Sequence, residues 1–207
     1  MKKLLLHICC APDATIGLER LSSQFDTKGF FYNPNVHPPE EYDRRLEAME
    51  KLSEATGLDF EAGDYDPEQW EVMVKGLEEE PEKGRRCELC FQERLQRTAR
   101  EVRDGGYDAF AAVLTVSPHK DAALINRLGA EAGQEFGVEY LPTDLKKMDG
   151  FKTSVQLSRE MGIYRQDYCG CEYSQRQKAG GRRKNRVKPG LASRITLLFI
   201  INIPISM

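Results

Sequence analysis

The sequence predicts an α/β fold with a mostly parallel sheet and helices on both faces. Two observations carry this: short apolar segments alternate with helical segments of ten or more residues, and turn residues punctuate the changes. With 207 residues, 40% hydrophobic and 30% charged, the chain suits one domain with a sizeable core. No internal repeat or low-complexity tract interrupts it.

Lys3 to Cys9 reads as the first strand. Asp13 is the expected N-cap of a helix over residues 14–24, in which Ile16, Leu18 and Leu21 are apolar. "GFFYN" is a second strand, and the prolines of "PNVHPPEEY" forbid its continuation. Tyr42, Leu46, Met49 and Leu52 then mark a helix closed by Gly57. "LDFEAG" is a short strand, and "DPEQWEVMVKGL" begins a helix with Pro67 in its first turn. The polar loop "EEEPEKGRR" leads into "CELC" and a helix through Phe91, Leu95, Ala99 and Val102 to Gly105 and Gly106. "YDAFAAVL" reads as a buried strand. A helix with Leu124, Leu128 and Phe136 ends at Gly137, and "VEYLP" is the last strand.

Residues 1–175 are expected to form a single metal-binding catalytic domain, and residues 176–207 a tail, first basic and then apolar. After Glu172 the chain has no acidic residue, although its formal net charge is -3. Such a tail is a solvated extension or a polyanion contact. The run from Ile195 to Ile205 contains Pro204 and is too short to span a bilayer. The opening "MKKLLLHICCAPDAT" lacks a small-residue cleavage site, so the expected location is the cytoplasm, with no membrane partner. Six reduced, disulfide-free cysteines are expected there, which favours metal ligation or redox chemistry.

Those cysteines form three pairs: Cys9 and Cys10, Cys87 and Cys90, Cys169 and Cys171. The pairs lie too far apart for a local zinc finger, so any shared site is assembled by the fold. In "CELC" two thiols three apart meet on one helix face, where the helix N-terminus, Arg85 and Arg86 are expected to favour thiolate. In "CGC" an extended backbone points both thiols one way around Gly170. Adjacent strand residues point oppositely, so Cys9 and Cys10 are expected to serve two neighbouring metals. Six thiolates exceed the needs of one four-iron cluster or one tetrahedral zinc. Asp13 offers an oxygen ligand that suits an iron with an open position. Structural zinc in a nucleic-acid-binding module, a dithiol oxidoreductase built on Cys87 and Cys90, and unrelated buried cysteines are the alternatives. "CCAPDAT" lacks the glycines of a phosphate-binding turn, which disfavours ATP-driven chemistry.

The runs "LLLHICCAP", "GFFYNPNVHPPEEYDRRLEAM", "VKGLEEEPEKGRRCELCFQERLQRTA" and "LSREMGIYRQDYCGCEYS" occur in this order. Together they resemble the QueH family of epoxyqueuosine reductases over about residues 1–175. The resemblance implies a Rossmann-like fold of the class shared by nucleotide α-hydrolases and tRNA-thiolating enzymes (HUP-like). It also implies a [4Fe-4S] cluster beside a mononuclear iron, with zinc as its substitute in purified protein. The implied reaction reduces epoxyqueuosine to queuosine at the wobble position of tRNA. Carried over, Cys9, Cys10, Asp13, Cys87, Cys90, Cys169 and Cys171 are the metal-binding set. The expected partition gives Cys10, Cys87, Cys90 and Cys169 to the cluster, and Cys9, Cys171 and Asp13 to the single iron. Some relatives resemble "CCAPC", so Asp13 stands where a thiol also occurs.

Loss of the epoxide oxygen as water takes two electrons and two protons. A cluster passes one electron at a time, so an external ferredoxin- or flavodoxin-like donor is expected to act twice. Asp13, His119, Lys120 and Tyr164 are the candidate catalytic side chains. His119 and Lys120 follow a strand on the ligand-binding edge of a parallel sheet. Tyr164 is suited to stacking on a base, and Arg165 to a phosphate. His7 is expected in the core, and His37 in a loop that shapes the substrate pocket with Asn33 and Tyr42.

Overall fold

A central strand, β1 (Lys2–Ile8), is buried from Leu4 onward, because both of its faces are covered. This was obtained in a computed structural model that describes residues 1–186. β1 pairs in parallel with β2 (Phe25–Phe31) on one side and β4 (Ala109–Ala112) on the other. β3 (Phe60–Ala62) and β5 (Glu139–Tyr140) complete a five-stranded parallel sheet of order β3-β2-β1-β4-β5. The helices are α1 (Ala11–Leu21), α2 (Pro39–Thr56), α3 (Pro67–Met73), α4 (Arg85–Gly105), α5 (Ala122–Phe136), α6 (Gly150–Glu160) and α7 (Glu172–Arg186).

Neighbouring residues of β1 show how the two faces are covered. Leu6 packs towards Gly17 of α1, where an added Cβ would come within 3.2 Å of its Cδ2, while His7 meets Arg94 of α4 on the other face. α1 packs against α2 and α6, and α4 against α5. The chain leaves β1 towards β2 and β3, then crosses back to β4 on the opposite side. The C-terminal ends of β1 and β4 therefore flank the point where strand order reverses, the place where parallel sheets open a ligand crevice.

Several expectations change. Asp13 is no N-cap: α1 starts at Ala11, Cys10 occupies the cap position, and Asp13 lies in the first turn, where a carboxylate favours the helix dipole. "YDAFAAVL" is a strand only over Ala109–Ala112; Val113–Val116 form a 3₁₀ turn that redirects the chain into Ser117 to Lys120. β2 starts at Phe25, four residues before "GFFYN", through the polar stretch Asp26, Thr27, Lys28 whose backbone continues the ladder with β1. α6 carries no apolar periodicity because it buries Gly150, Ser154 and Ser158, small groups that suit close packing on α1. α7 runs across residue 175, and Lys188, Arg194 and the apolar run from Ile195 lie outside the described residues. Among the described residues no helix is long and apolar enough to cross a membrane.

Candidate metal centre

The turn between β1 and α1 gathers the first group of ligands. Cys9, Cys10 and Asp13 are all buried, and their ligand atoms lie within 4.8 Å of one another. The Sγ of Cys9 is 3.9 Å from the Sγ of Cys10 and 3.9 Å from Oδ2 of Asp13. The expectation that Cys9 and Cys10 point to opposite sides is thus corrected. β1 ends at Ile8, and the turn into α1 brings both thiols to one point.

Lys120 arrives from the chain after β4, its Nζ 3.8 Å from the Sγ of Cys9. Burial works against its ammonium, but the thiols of Cys9 and Cys169 outweigh this and raise its pKa. The hydrogen bond available from Cys10, against burial and with help from Lys120, Arg94 and Arg45, favours a thiolate at Cys9. Cys10 is correspondingly held as a thiol. Burial, then the neighbouring Cys9, pushes the Asp13 carboxyl up to about 7.

The other four thiols form a second neighbourhood. Cys90 and Cys171 share a small buried cluster with Trp70, Val74 and Tyr173. Cys87 and Cys90 each feel both Cys169 and Cys171 electrostatically. Burial, foremost, pushes Cys87 up to about 11 and Cys90 up to about 12, and it raises Cys169. The thiolate expected from the helix N-terminus and Arg85 with Arg86 is therefore not favoured without a metal. Arg86 turns away, its Nη1 donating to the carbonyls of Leu77, Glu78 and Glu80 at 2.7, 3.1 and 2.8 Å. Protonated CxxC thiols also speak against an activated dithiol nucleophile.

The Cys169-Gly170-Cys171 turn is pinned from outside. Arg45, 2% exposed, donates from Nη1 to the carbonyl of Cys169 at 3.0 Å and from Nη2 to that of Tyr168 at 3.3 Å. Its Nε donates to Glu41 at 2.8 Å, and Glu41 also accepts from the Tyr164 hydroxyl at 2.8 Å. The His37 backbone N–H donates to the carbonyl of Gly170 at 2.9 Å, and the Tyr168 hydroxyl donates to the carbonyl of His37 at 2.6 Å. Gly170 has φ +138°, and a Cβ there would meet Nη1 of Arg45 at 3.0 Å. Only glycine fits that left-handed position beneath a buried guanidinium.

Arg94 stands between the two groups. It follows Cys90 by one helical turn, is 2% exposed, and donates from Nη2 to Asn33 Oδ1 at 2.5 Å and from Nε to His7 Nε2 at 3.3 Å. Arg45, Arg94 and Lys120 therefore surround a thiol-rich site with cationic charge.

A cavity of about 540 Å³ opens on this site, lined among others by Cys9, Asp13, Lys120, Phe151, Arg165, Tyr168 and Cys169. His119 is exposed on its rim. Tyr164 does not line it, since its hydroxyl is turned to Glu41. Asn33 and His37 brace the two cysteine-bearing turns, through the carbonyls of Ile8 and Gly170, and do not form the cavity wall. Arg45, Arg94 and Trp70 escaped the sequence reading. The helical step from Cys90 to Arg94 was a usable signal for one of them; the other two come from remote segments.

The residues fit metals on their own chemistry. Three mixed sulfur and oxygen donors beside an open cavity leave room for a further ligand, unlike a closed structural zinc site. Three thiols with raised pKa (Cys87, Cys90 and Cys169), Cys171 buried beside Cys90 and an indole N–H without a partner among the described residues, and a glycine cradle fit a cluster bound as thiolates with release of protons.

The family model described as epoxyqueuosine reductase QueH matches residues 4–177. The epoxyqueuosine reductase QueH of Streptococcus pyogenes serotype M1 is 42% identical over 177 residues, 83% of this chain and 69% of that protein. Its namesake from Thermotoga maritima is 37% identical over 177 residues, 84% of this chain and 91% of that protein. Among solved structures, the U34-tRNA thiolase NcsA of Methanococcus maripaludis with its [4Fe-4S] cluster aligns with TM-score 0.53 at 15% identity. It covers 89% of this chain and 66% of its own. A predicted subunit of tRNA methyltransferase from Methanocaldococcus jannaschii aligns with TM-score 0.53 at 16% identity, covering 77% of this chain and 75% of its own. At these identities the two structures establish the fold alone, a parallel α/β sheet.

Proposed function

The chain belongs to the QueH family of epoxyqueuosine reductases, and from that premise we propose how its own residues reduce epoxyqueuosine in tRNA. Cys87, Cys90, Cys169 and Cys171 hold a [4Fe-4S] cluster, and Cys9, Cys10 and Asp13 hold a single iron. This exchanges Cys10 and Cys171 relative to the assignment drawn from strand direction. Two observations support the exchange: the compact Cys9, Cys10 and Asp13 group, and the packing of Cys171 with Cys90.

When bound, the cluster supplies single electrons and the iron a Lewis acid for the epoxide oxygen. The reaction consumes two electrons and two protons, breaks both C–O bonds of the epoxide, forms the alkene and releases water. Lys120 is placed to deliver a proton, because its ammonium stands beside Cys9 at the cavity wall. Phe151, Arg165 and Tyr168 line the cavity wall that receives the unstacked nucleoside. His119, on the rim, contacts the RNA backbone. A ferredoxin- or flavodoxin-like protein supplies the electrons one at a time.

The observation that carries this reading is the convergence of six thiols and a carboxylate at the crevice between β1 and β4. Its test is conversion of epoxyqueuosine-containing tRNA, followed by nucleoside analysis after digestion. The anaerobic protein with reduced flavodoxin should yield queuosine, Cys9→Ala none, and Lys120→Met a loss of about 10²-fold or more in rate. Absence of conversion by the metal-loaded wild type would refute the reading.

A further inference from the structure

Trp70, the only tryptophan of the chain, lies on α3. It is 4% exposed, yet among the described residues its indole Nε1 has no hydrogen-bond partner and is closed to solvent. Leaving such a donor unpaired costs about 1–3 kcal/mol, and buried polar groups in folded proteins rarely do so. The ring packs in one small cluster with Cys90, Cys171, Val74 and Tyr173, its centroid 6.0 Å from that of Tyr173.

Its position is built by the surrounding chain. Asp66 caps α3 by accepting from the backbone N–H of Gln69 at 2.9 Å. Buried Arg86 holds the α3–α4 connection through the carbonyls of Leu77, Glu78 and Glu80, and its guanidinium lies 4.4 Å from the Tyr173 ring centroid. This aromatic N–H shares its small buried cluster with two thiols of the proposed cluster site, and thiolate or sulfide sulfur is an acceptor that a bound cluster would supply there.

We infer that Trp70 Nε1 donates a hydrogen bond to a sulfur of the cluster, a thiolate or a bridging sulfide, and so raises its reduction potential. This rests on the cluster assignment above. The physical reason is general: a donor aimed at a sulfur stabilises the electron-richer, reduced state more than the oxidised one. Trp70 is then a cluster-contacting residue that sets how readily the external donor can load an electron.

Because Trp70 is the sole tryptophan, indole-¹⁵N labelling marks this one nitrogen. In the dithionite-reduced wild type, pulsed electron paramagnetic resonance should show ¹⁵N coupling from the label and a coupled proton lost in deuterium oxide. Trp70→Phe keeps an aromatic ring and removes the N–H. With iron and sulfide content unchanged, its midpoint potential should move to a more negative value in an anaerobic redox titration. An intact cluster with no ¹⁵N coupling, or a variant with unaltered potential, would overturn the inference. A wild type without labile sulfide would instead defeat the cluster assignment, and this inference with it.

Discussion

Burial sets the protonation of this site before any metal arrives. Cys87 and Cys90 are pushed up as thiols, and Asp13 is raised to about 7, chiefly by loss of water around the charged form. The linkage for Asp13 has a definite sign. Its carboxyl titrates at 3.8 when unfolded and at about 7 when folded, so the folded metal-free protein binds the extra proton. That contribution to stability is fully present below pH 4 and is lost as pH rises to about 7. Urea unfolding of metal-free, reduced protein should therefore show wild type losing stability relative to Asp13→Asn across that window, then running parallel above it. Curves parallel throughout would contradict the burial of Asp13. At this scale the ligand types were legible, since six cysteines in three pairs and "CCAPDAT" are visible in the chain. Their directions were not: two adjacent strand residues should diverge, and only the end of β1 at Ile8 lets Cys9 and Cys10 converge.

The elements meet the site through their ends. β1 delivers Cys9 and Cys10, the N-terminus of α4 delivers Cys87 and Cys90, and the segment between α6 and α7 delivers Cys169 and Cys171. α6 itself was hidden in the sequence, because its buried face is made of Gly150, Ser154 and Ser158 and shows no apolar stripe. The long helices with apolar periodicity and glycine stops, α2, α4 and α5, were legible for the converse reason. Gly150 is where the fit of α6 is tightest: an added Cβ would lie 1.7 Å from the carbonyl oxygen of Leu145. That loop cannot yield easily, since Arg20 donates to the carbonyls of Leu145, Lys147 and Met148 at 3.0, 2.8 and 3.2 Å. Gly150→Ala should destabilise by about 1–3 kcal/mol, a drop of roughly 2–12 °C in Tm. It should also raise KM for tRNA, because the adjacent Phe151 is part of the cavity wall. An unchanged melting curve would show that the Leu145 turn is slack.

Across the whole molecule the topology decides what the thiols can do. The order β3-β2-β1-β4-β5 puts the reversal between β1 and β4, and the Cys9 turn and Lys120 meet above it. The sequence contained the alternation of strands and helices, hence the parallel sheet, but gave no pairing order that would bring residues 9, 87 and 169 together. Three internal cations, Arg45, Arg94 and Lys120, would offset the charge of the seven proposed ligands, a balance visible only after folding. On the proposed function, this assembly holds two different metal centres. It is tested most directly by iron and sulfide analysis of anaerobically purified wild type, Cys9→Ala and Cys171→Ser, with electron paramagnetic resonance before and after dithionite. Wild type should contain about five irons and four sulfides per chain. Cys9→Ala should keep the reducible cluster signal and lose about one iron; Cys171→Ser should lose most of the cluster signal. About one zinc, no sulfide and no signal in wild type, or a full cluster in Cys171→Ser alongside its loss in Cys9→Ala, would contradict it.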